Sequence, residues 1–251
     1  MPALRTAVTL PRFHLPAARP GSMDLPEAAL IHATRVLRLK EGDALRVFDA
    51  GVEFAATITA VGKRRVRIDI GERIVSLAER AIPLHLIMSP LKGDLTELVI
   101  QKATELGVRR VSPAIFDRTD TVARRDPSEA RLGRWRRVAT SAAEQSGRTI
   151  VPAVDSLTSL SRAIEALGAP GEGETRIVAA EPSLAKGRAT ARPSPLPRSL
   201  IVAVGPAGGL TEGDLNVLSA AGFRPELLAT HTLRSETACI AAVAILGDRF
   251  R

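Results

Sequence analysis

Ser199–Ala220 reads SLIVAVGPAGGLTEGDLNVLSA. An unbroken apolar run follows Ser199, then a turn built on Gly205, Pro206, Ala207, Gly208 and Gly209, then a segment opening on Thr211 with helical character. A continuous apolar run of strand length, bounded by Gly and Pro, marks a strand buried on both faces. Strand, glycine turn and helix in direct succession predict an α/β domain. In such domains ligands bind beyond the carboxyl ends of the strands.

The same alternation extends outward in both directions. Leu84–Met88 is strand-length and apolar, and Asp94–Leu106 follows as a helix with Leu95, Leu98, Val99, Ala103 and Leu106 on one face. Asp94 with Glu97 resembles a capping box, and Gly107 suits a left-handed helix end. Val108–Ile115 reads as the next strand. Pro127–Ser146 is a helix turning Leu132, Trp135, Ala139 and Ala142 inward, and Ser156–Leu167 is another. Arg176–Ala180 and the short run Glu226–Leu228 are strands, and Glu236–Leu246 closes the chain as a helix. Gly168–Glu174 and the proline-bearing Glu181–Arg198 are loops by composition. Upstream the pattern changes to short β-branched runs, Ala44–Phe48, Glu53–Val61 and Arg65–Ile70, joined by glycine turns and preceded by a helix over Ala28–Leu37. Such spacing predicts a compact barrel. The expected organisation is a β-rich domain over residues 1–75 and an α/β domain over residues 76–251.

Lys and Arg number 35 against 27 Asp and Glu, a formal net charge of +8, and only five of the 35 are Lys. Arginine grips phosphate with a planar fork, so the excess points to a polyanionic partner. Cys239 is the single cysteine, which excludes an internal disulfide. The four histidines, His14, His32, His85 and His231, have no metal-ligand spacing, so no metal is expected. Met1–Pro20 lacks the apolar core of a signal peptide, and no run approaches the ~20 apolar residues needed to span a bilayer. The expectation is a cytoplasmic protein without a membrane partner.

Three segments stand at strand ends: Ala179–Pro182, Gly205–Gly209 and Ala229–Arg234. Gly208 and Gly209 allow the backbone to approach a ligand closely, or else they only turn the chain. The turn is neither a dinucleotide fingerprint nor a phosphate loop. Ser235 reads as a helix cap and Glu236 suits the positive first turn. Capping gives Arg234 no role, which marks it for chemistry. Lys92-Gly93-Asp94 with Lys102 and Glu105 faces either nucleic acid or solvent, as does Glu144–Arg148 at a helix end. Arg134, Arg136 and Arg137 either clamp phosphates or surround one buried Trp135.

Taken in order, these segments resemble the 16S ribosomal RNA uridine-N3 methyltransferases of RsmE type, in the SPOUT class. Arg12-Phe13, then Arg35-Val36-Leu37-Arg38 with Gly42-Asp43, is similar to the family's N-terminal PUA-like domain. Lys92-Gly93-Asp94, Gln101–Val108, Ala143–Arg148 with Val151-Pro152, Gly205–Gly209 and Leu233–Ala238 are similar to its other motifs. The resemblance implies a C-terminal parallel-sheet domain with a deep trefoil knot. It implies S-adenosylmethionine held by Ala180, Glu181, Pro182, Val204, Gly205, Pro206, Ala207, Gly208 and Gly209, with Leu228, Ala229, Thr230, Thr232, Leu233, Arg234 and Ala238. Arg234 then stabilises charge on the uracil, with Glu144 or Glu236 as base. Arg12, Arg35, Arg38, Lys92, Lys102, Arg118 and Arg148 are the implied contacts to 16S rRNA of the small ribosomal subunit. A homodimer is implied as well. Two positions depart from the family: Ala207 stands where Glu is usual, and Ala229 where Gly is usual. Those departures are the support for an alternative, a non-catalytic RNA-binding or ribosome-assembly protein on the same fold.

Overall fold

The computed structural model describes residues 10–75, 79, 82–124, 128–180 and 195–250. Two compact units divide the chain: Met1–Glu79 with Ala143–Val151, and Arg80–Ala142 with Pro152–Arg251.

The smaller unit is built on a five-stranded sheet. Its strands are β1 (Arg12–His14), β2 (Gly21–Asp24), β3 (Ala44–Asp49), β4 (Val52–Val61) and β5 (Val66–Ile74), in the order β1-β3-β4-β5-β2. Only β1 with β3 is parallel. The described pairings leave β1 and β2 at the ends of the sheet, where a closed barrel was expected. Alternation along β5 buries Val66, Ile68 and Ile70, which join Phe13, Leu45, Val47 and Ile58 in one core. The expected first helix is present in two parts: α1 (Glu27–Ile31) runs on into a π-helical turn (His32–Val36). Arg38 follows with φ +54, a left-handed conformation costly for a side chain with a Cβ.

The larger unit is α/β. Its main sheet contains β6 (Leu84–Met88), β7 (Arg110–Ile115), β8 (Ala153–Val154), β10 (Glu174–Ala180), β11 (Ser199–Val204) and β12 (Arg224–Leu227), in the order β12-β10-β11-β6-β7-β8. Every one of these pairings is parallel, and β9 (Thr158–Ser159) pairs in parallel with β7. The helices are α2 (Leu95–Glu105), α3 (Glu129–Ser146), α4 (Leu160–Glu165), α5 (Glu212–Ala220) and α6 (Ser235–Arg249). β11 lies between β10 and β6, and its residues Leu200–Val204 are buried, as the apolar run requires.

Several local expectations are corrected. α2 buries Thr96, Val99, Ile100, Ala103 and Thr104, whereas Leu95 and Leu98 stay 37% exposed. Thr96 and Thr104 tolerate burial because their hydroxyls bond the carbonyls of Leu91 (3.2 Å) and Ile100 (2.7 Å). Asp94 makes no capping bond; with Glu97 it binds Arg134 across to α3. Arg134 thus joins α2 to α3 by two ion pairs, and Trp135 is buried with the Arg131 guanidinium 4.7 Å from its ring centre. Ser235 is the first helical residue of α6, and Arg234 occupies the N-cap without a side-chain bond.

Candidate active site

β10, β11 and β12 run parallel and adjacent, so their carboxyl ends open on one side of the sheet. The chain leaves β11 through Gly205 and Pro206, leaves β12 through Leu228–Leu233, and enters α6 at Ser235. Together they enclose a cleft of about 600 Å³, open mouth included, lined by Ala179, Ala180, Val204, Gly205, Pro206, Gly209, Leu210, Leu228, Ala229, His231, Thr232, Leu233, Ser235 and Ala238. Small side chains leave the space, and Pro206, Leu210, Leu228 and Leu233 give it apolar walls. His231 is the one ionisable side chain among the described lining residues.

The strand-end loops are braced from behind. Arg118, in the loop after β7, donates to the Gly208 carbonyl at 3.0 Å. A Cβ on Gly208 would meet the Arg118 Cβ at 3.0 Å, so this glycine is required for close approach. Thr211 donates to Asp117 at 2.6 Å, and the Asp117 N–H donates to buried Asp214 at 3.1 Å. Thr211 and Asp214 also form a capping box that starts α5. Gly205 is tighter still, because a Cβ there would fall 2.6 Å from Leu210. The glycine turn is therefore a braced cradle whose small residues and apolar walls leave room for a flat, uncharged group. That room fits an adenosyl group, which carries no charge of its own.

The structure brings Ala180, Val204, Gly205, Pro206, Gly209, Leu228, Ala229, Thr232, Leu233 and Ala238 into the lining. Ala207, Gly208, Thr230 and Arg234 flank it without lining it, and Glu181 and Pro182 lie outside the described residues. Ala179, Leu210, His231 and Ser235 line the cleft beyond those expectations. Glu236 sits half-buried in the first turn of α6. Glu144 belongs to the smaller unit, where it accepts from the His14 N–H at 3.0 Å and burial pushes its carboxyl above the ordinary range.

The cations expected to meet RNA fall into two groups. Arg148 is buried, and the Arg12 side chain is 8% exposed. Arg12 binds Glu53 at 2.7 Å and the carbonyls of Ala143, Glu144 and Arg148, while Arg148 binds Glu79 at 2.8 Å. Their forks are occupied inside the smaller unit, so both are structural, which corrects the reading of them as phosphate contacts. Lys92 pairs with Asp120 at 3.0 Å and Lys102 with Glu105 at 2.9 Å, both toward solvent. Arg35, Arg38 and Arg118 are exposed.

Known proteins place this arrangement. An RNA methyltransferase domain model matches residues 78–247, and an RNA methyltransferase PUA domain model matches residues 25–71. Ribosomal RNA small subunit methyltransferase E of Synechocystis sp. is 31% identical over 225 residues, 89% of this chain and 72% of that protein. Its counterpart in Bacillus subtilis is 31% identical over 224 residues, 86% of each chain. The structure of the Neisseria gonorrhoeae ribosomal RNA small subunit methyltransferase E, bound to S-adenosyl methionine, matches with a TM-score of 0.83 at 31% identity over 95% of this chain and 97% of that one. A Legionella pneumophila protein in complex with the bound cofactor SAM matches with a TM-score of 0.85 at 28% identity, over 96% and 98%. The chain, an α/β methyltransferase domain joined to a PUA domain, belongs to the ribosomal RNA small subunit methyltransferase E family.

Proposed function

We propose that the protein methylates N3 of a uridine in 16S rRNA of the small ribosomal subunit, with S-adenosylmethionine as donor. The observation that carries this reading is the cleft at the ends of β10, β11 and β12, whose neutral, apolar walls and glycine cradle suit an adenosyl group. Gly205, Pro206, Leu210, Leu228 and Leu233 would hold the adenosyl portion. Bound there, S-adenosylmethionine supplies an activated methyl group on a sulfonium.

The remaining chemistry falls to the chain. N3 of uracil is protonated at neutral pH, so negative charge develops on the ring as that proton leaves. Arg234, exposed at the α6 N-cap, would donate to the uracil carbonyls that take up this charge. Glu236, two residues on, is the base of this proposal. Glu144 is the weaker choice, because its carboxylate is held by His14 in the smaller unit. The target base must be unstacked to reach the cleft. With this reading go a SPOUT-type trefoil knot in the larger unit, a closed PUA-like barrel in the smaller one, a cytoplasmic setting and a homodimer. Leu95 and Leu98, apolar and partly exposed on α2, are the surface offered to a second copy.

The test is transfer of labelled methyl from S-adenosylmethionine to small subunits that lack this methylation. Wild-type protein is expected to label them at a uridine N3. Arg234→Ala is expected to bind the cofactor nearly as well and to lower transfer by roughly two to three orders of magnitude. Failure of the wild type to bind S-adenosylmethionine in calorimetry would instead favour a non-catalytic RNA-binding protein.

A further inference from the structure

With Arg12 and Arg148 held internally, the smaller unit shows positive charge to solvent at Arg19, Arg35, Arg38, Lys40 and Arg73, and as an unbroken run of three in sequence at one hairpin. β4 and β5, ten and nine residues long, meet in a turn over Gly62–Arg65, closed by the Gly62 N–H on the Arg65 carbonyl at 2.8 Å. Lys63, Arg64 and Arg65 form its tip, and Arg67 follows on the outward face of β5; all four are exposed. Among the described residues, none of Lys63, Arg64 and Arg65 forms an ion pair. The carboxylate beside them, Asp24 on β2, is gripped by both arms of Arg67 at 3.0 and 3.3 Å.

Folding does not explain these cations. Adjacent like charges repel, and an uncharged Asn-Gly pair would turn the chain as well. Lysines and arginines often blunt the open edge of a sheet. Here β4 lies between β3 and β5, and β5 between β4 and β2, so neither strand is an edge. The hairpin instead presents three adjacent exposed cations at the end of a two-stranded arm, none in a direct ion pair and only Arg65 near enough to Asp24 to feel its charge, the form of a contact to a polyanion.

We infer that the β4–β5 hairpin tip is an RNA-docking element whose Lys63, Arg64 and Arg65 bind backbone phosphates of a structured RNA without reading its bases. This rests on the rRNA substrate proposed above and names a surface through which the smaller unit engages it. Phosphate contacts position a nucleic acid and make its binding salt-dependent.

The experiment compares wild-type protein with Lys63→Gln/Arg64→Gln/Arg65→Gln across a potassium chloride titration, using 16S rRNA. The variant is expected to flatten the slope of log affinity against log salt by about 2, and to bind about 10- to 100-fold more weakly near physiological salt. KM for small subunits is expected to rise in step, with kcat at saturation, cofactor affinity and melting temperature unchanged. Arg64→Lys/Arg65→Lys, which keeps the charge, is expected to behave as wild type. If the wild type methylates small subunits while the Gln variant keeps the wild-type slope and KM, the docking role is overturned and the enzyme reading stands. If the wild type binds 16S rRNA with the hairpin-dependent slope but transfers no methyl, the enzyme reading falls alone. A wild type that binds no RNA overturns both.

Discussion

A methyl group on Gly205 would sit 2.6 Å from the Leu210 Cδ2 and 2.9 Å from its Cγ, so the Leu210 side chain, which lines the cleft, must shift. Gly205→Ala is therefore expected to weaken S-adenosylmethionine binding at least about tenfold and to cost about 1–3 kcal/mol of stability. Calorimetry and thermal melting read the two effects separately. His85 makes a residue-scale prediction of a different kind. Burial, aided by the charge on Arg110, lowers its pKa to about 4 from 6.5. Its ring Nε2 lies 2.7 Å from the Ser112 hydroxyl, which in turn donates to Asp155. The unfolded chain takes up this proton more readily than the folded one. The stability His85 contributes is thus complete above about pH 6.5 and lost as pH falls toward 4, on the order of a few kcal/mol in total. His85→Gln is expected to flatten the acid limb of a pH–melting curve through that window. An unchanged limb would mean that another group titrates there.

At the scale of elements, the loop after β7 and the glycine turn after β11 act as one piece because Arg118 holds the Gly208 carbonyl and Asp117 holds Thr211. Arg118→Met keeps the stem and removes the donor. It is expected to reduce cofactor affinity several-fold with little change in melting temperature, and Arg118→Lys is expected to recover part of the loss. Equal affinity in all three proteins would show that the turn holds its shape unaided. Thr211→Ala removes the α5 cap and is expected to cost about 1 kcal/mol in thermal melting. Elements of this kind were legible where the sequence pattern is strong. The apolar run at β11, the helix opening at Thr211 and the inward stripe Leu132, Trp135, Ala139 and Ala142 of α3 all stand where the pattern puts them. β1 and β2 were not legible, since three or four residues such as Arg12–His14 carry too little alternation and are held by their partner strands. The α2 face was misread for a related reason: Thr96 and Thr104 are buried because nearby carbonyls accept their hydroxyls, which hydrophobicity alone does not register. In the cleft, glycines and prolines announced the turn. Leu210, His231 and Ser235 carried no such signal, because they line it only through the packing of neighbouring strand ends.

Across the whole molecule, the net charge of +8 is divided between structural and outward uses that composition cannot separate. Arg12 shows the structural use. Its guanidinium binds Glu53 inside the smaller unit, with side-chain exposures of 8% and 3%, and ties down the end of α3 by the Ala143 and Glu144 carbonyls and the chain beyond it by that of Arg148. Arg12→Ala would leave buried Glu53 with the longer 3.9 Å pairing to Arg46 in place of its 2.7 Å bond, a loss of up to about 3–5 kcal/mol. Hydrogen exchange is expected to show the amides of β3, β4 and β5 losing protection first, with those of β10 and β11 protected longer. Uniform loss across both sheets would mean that the two units unfold as one.

The described walls of the cleft meet a guest through Pro206, Leu210, Leu228 and Leu233. Methyl transfer leaves the adenosyl portion proposed to rest there unaltered, so spent and fresh donor are expected to compete for one set of contacts. Clearance of the by-product is then expected to set the pace of turnover.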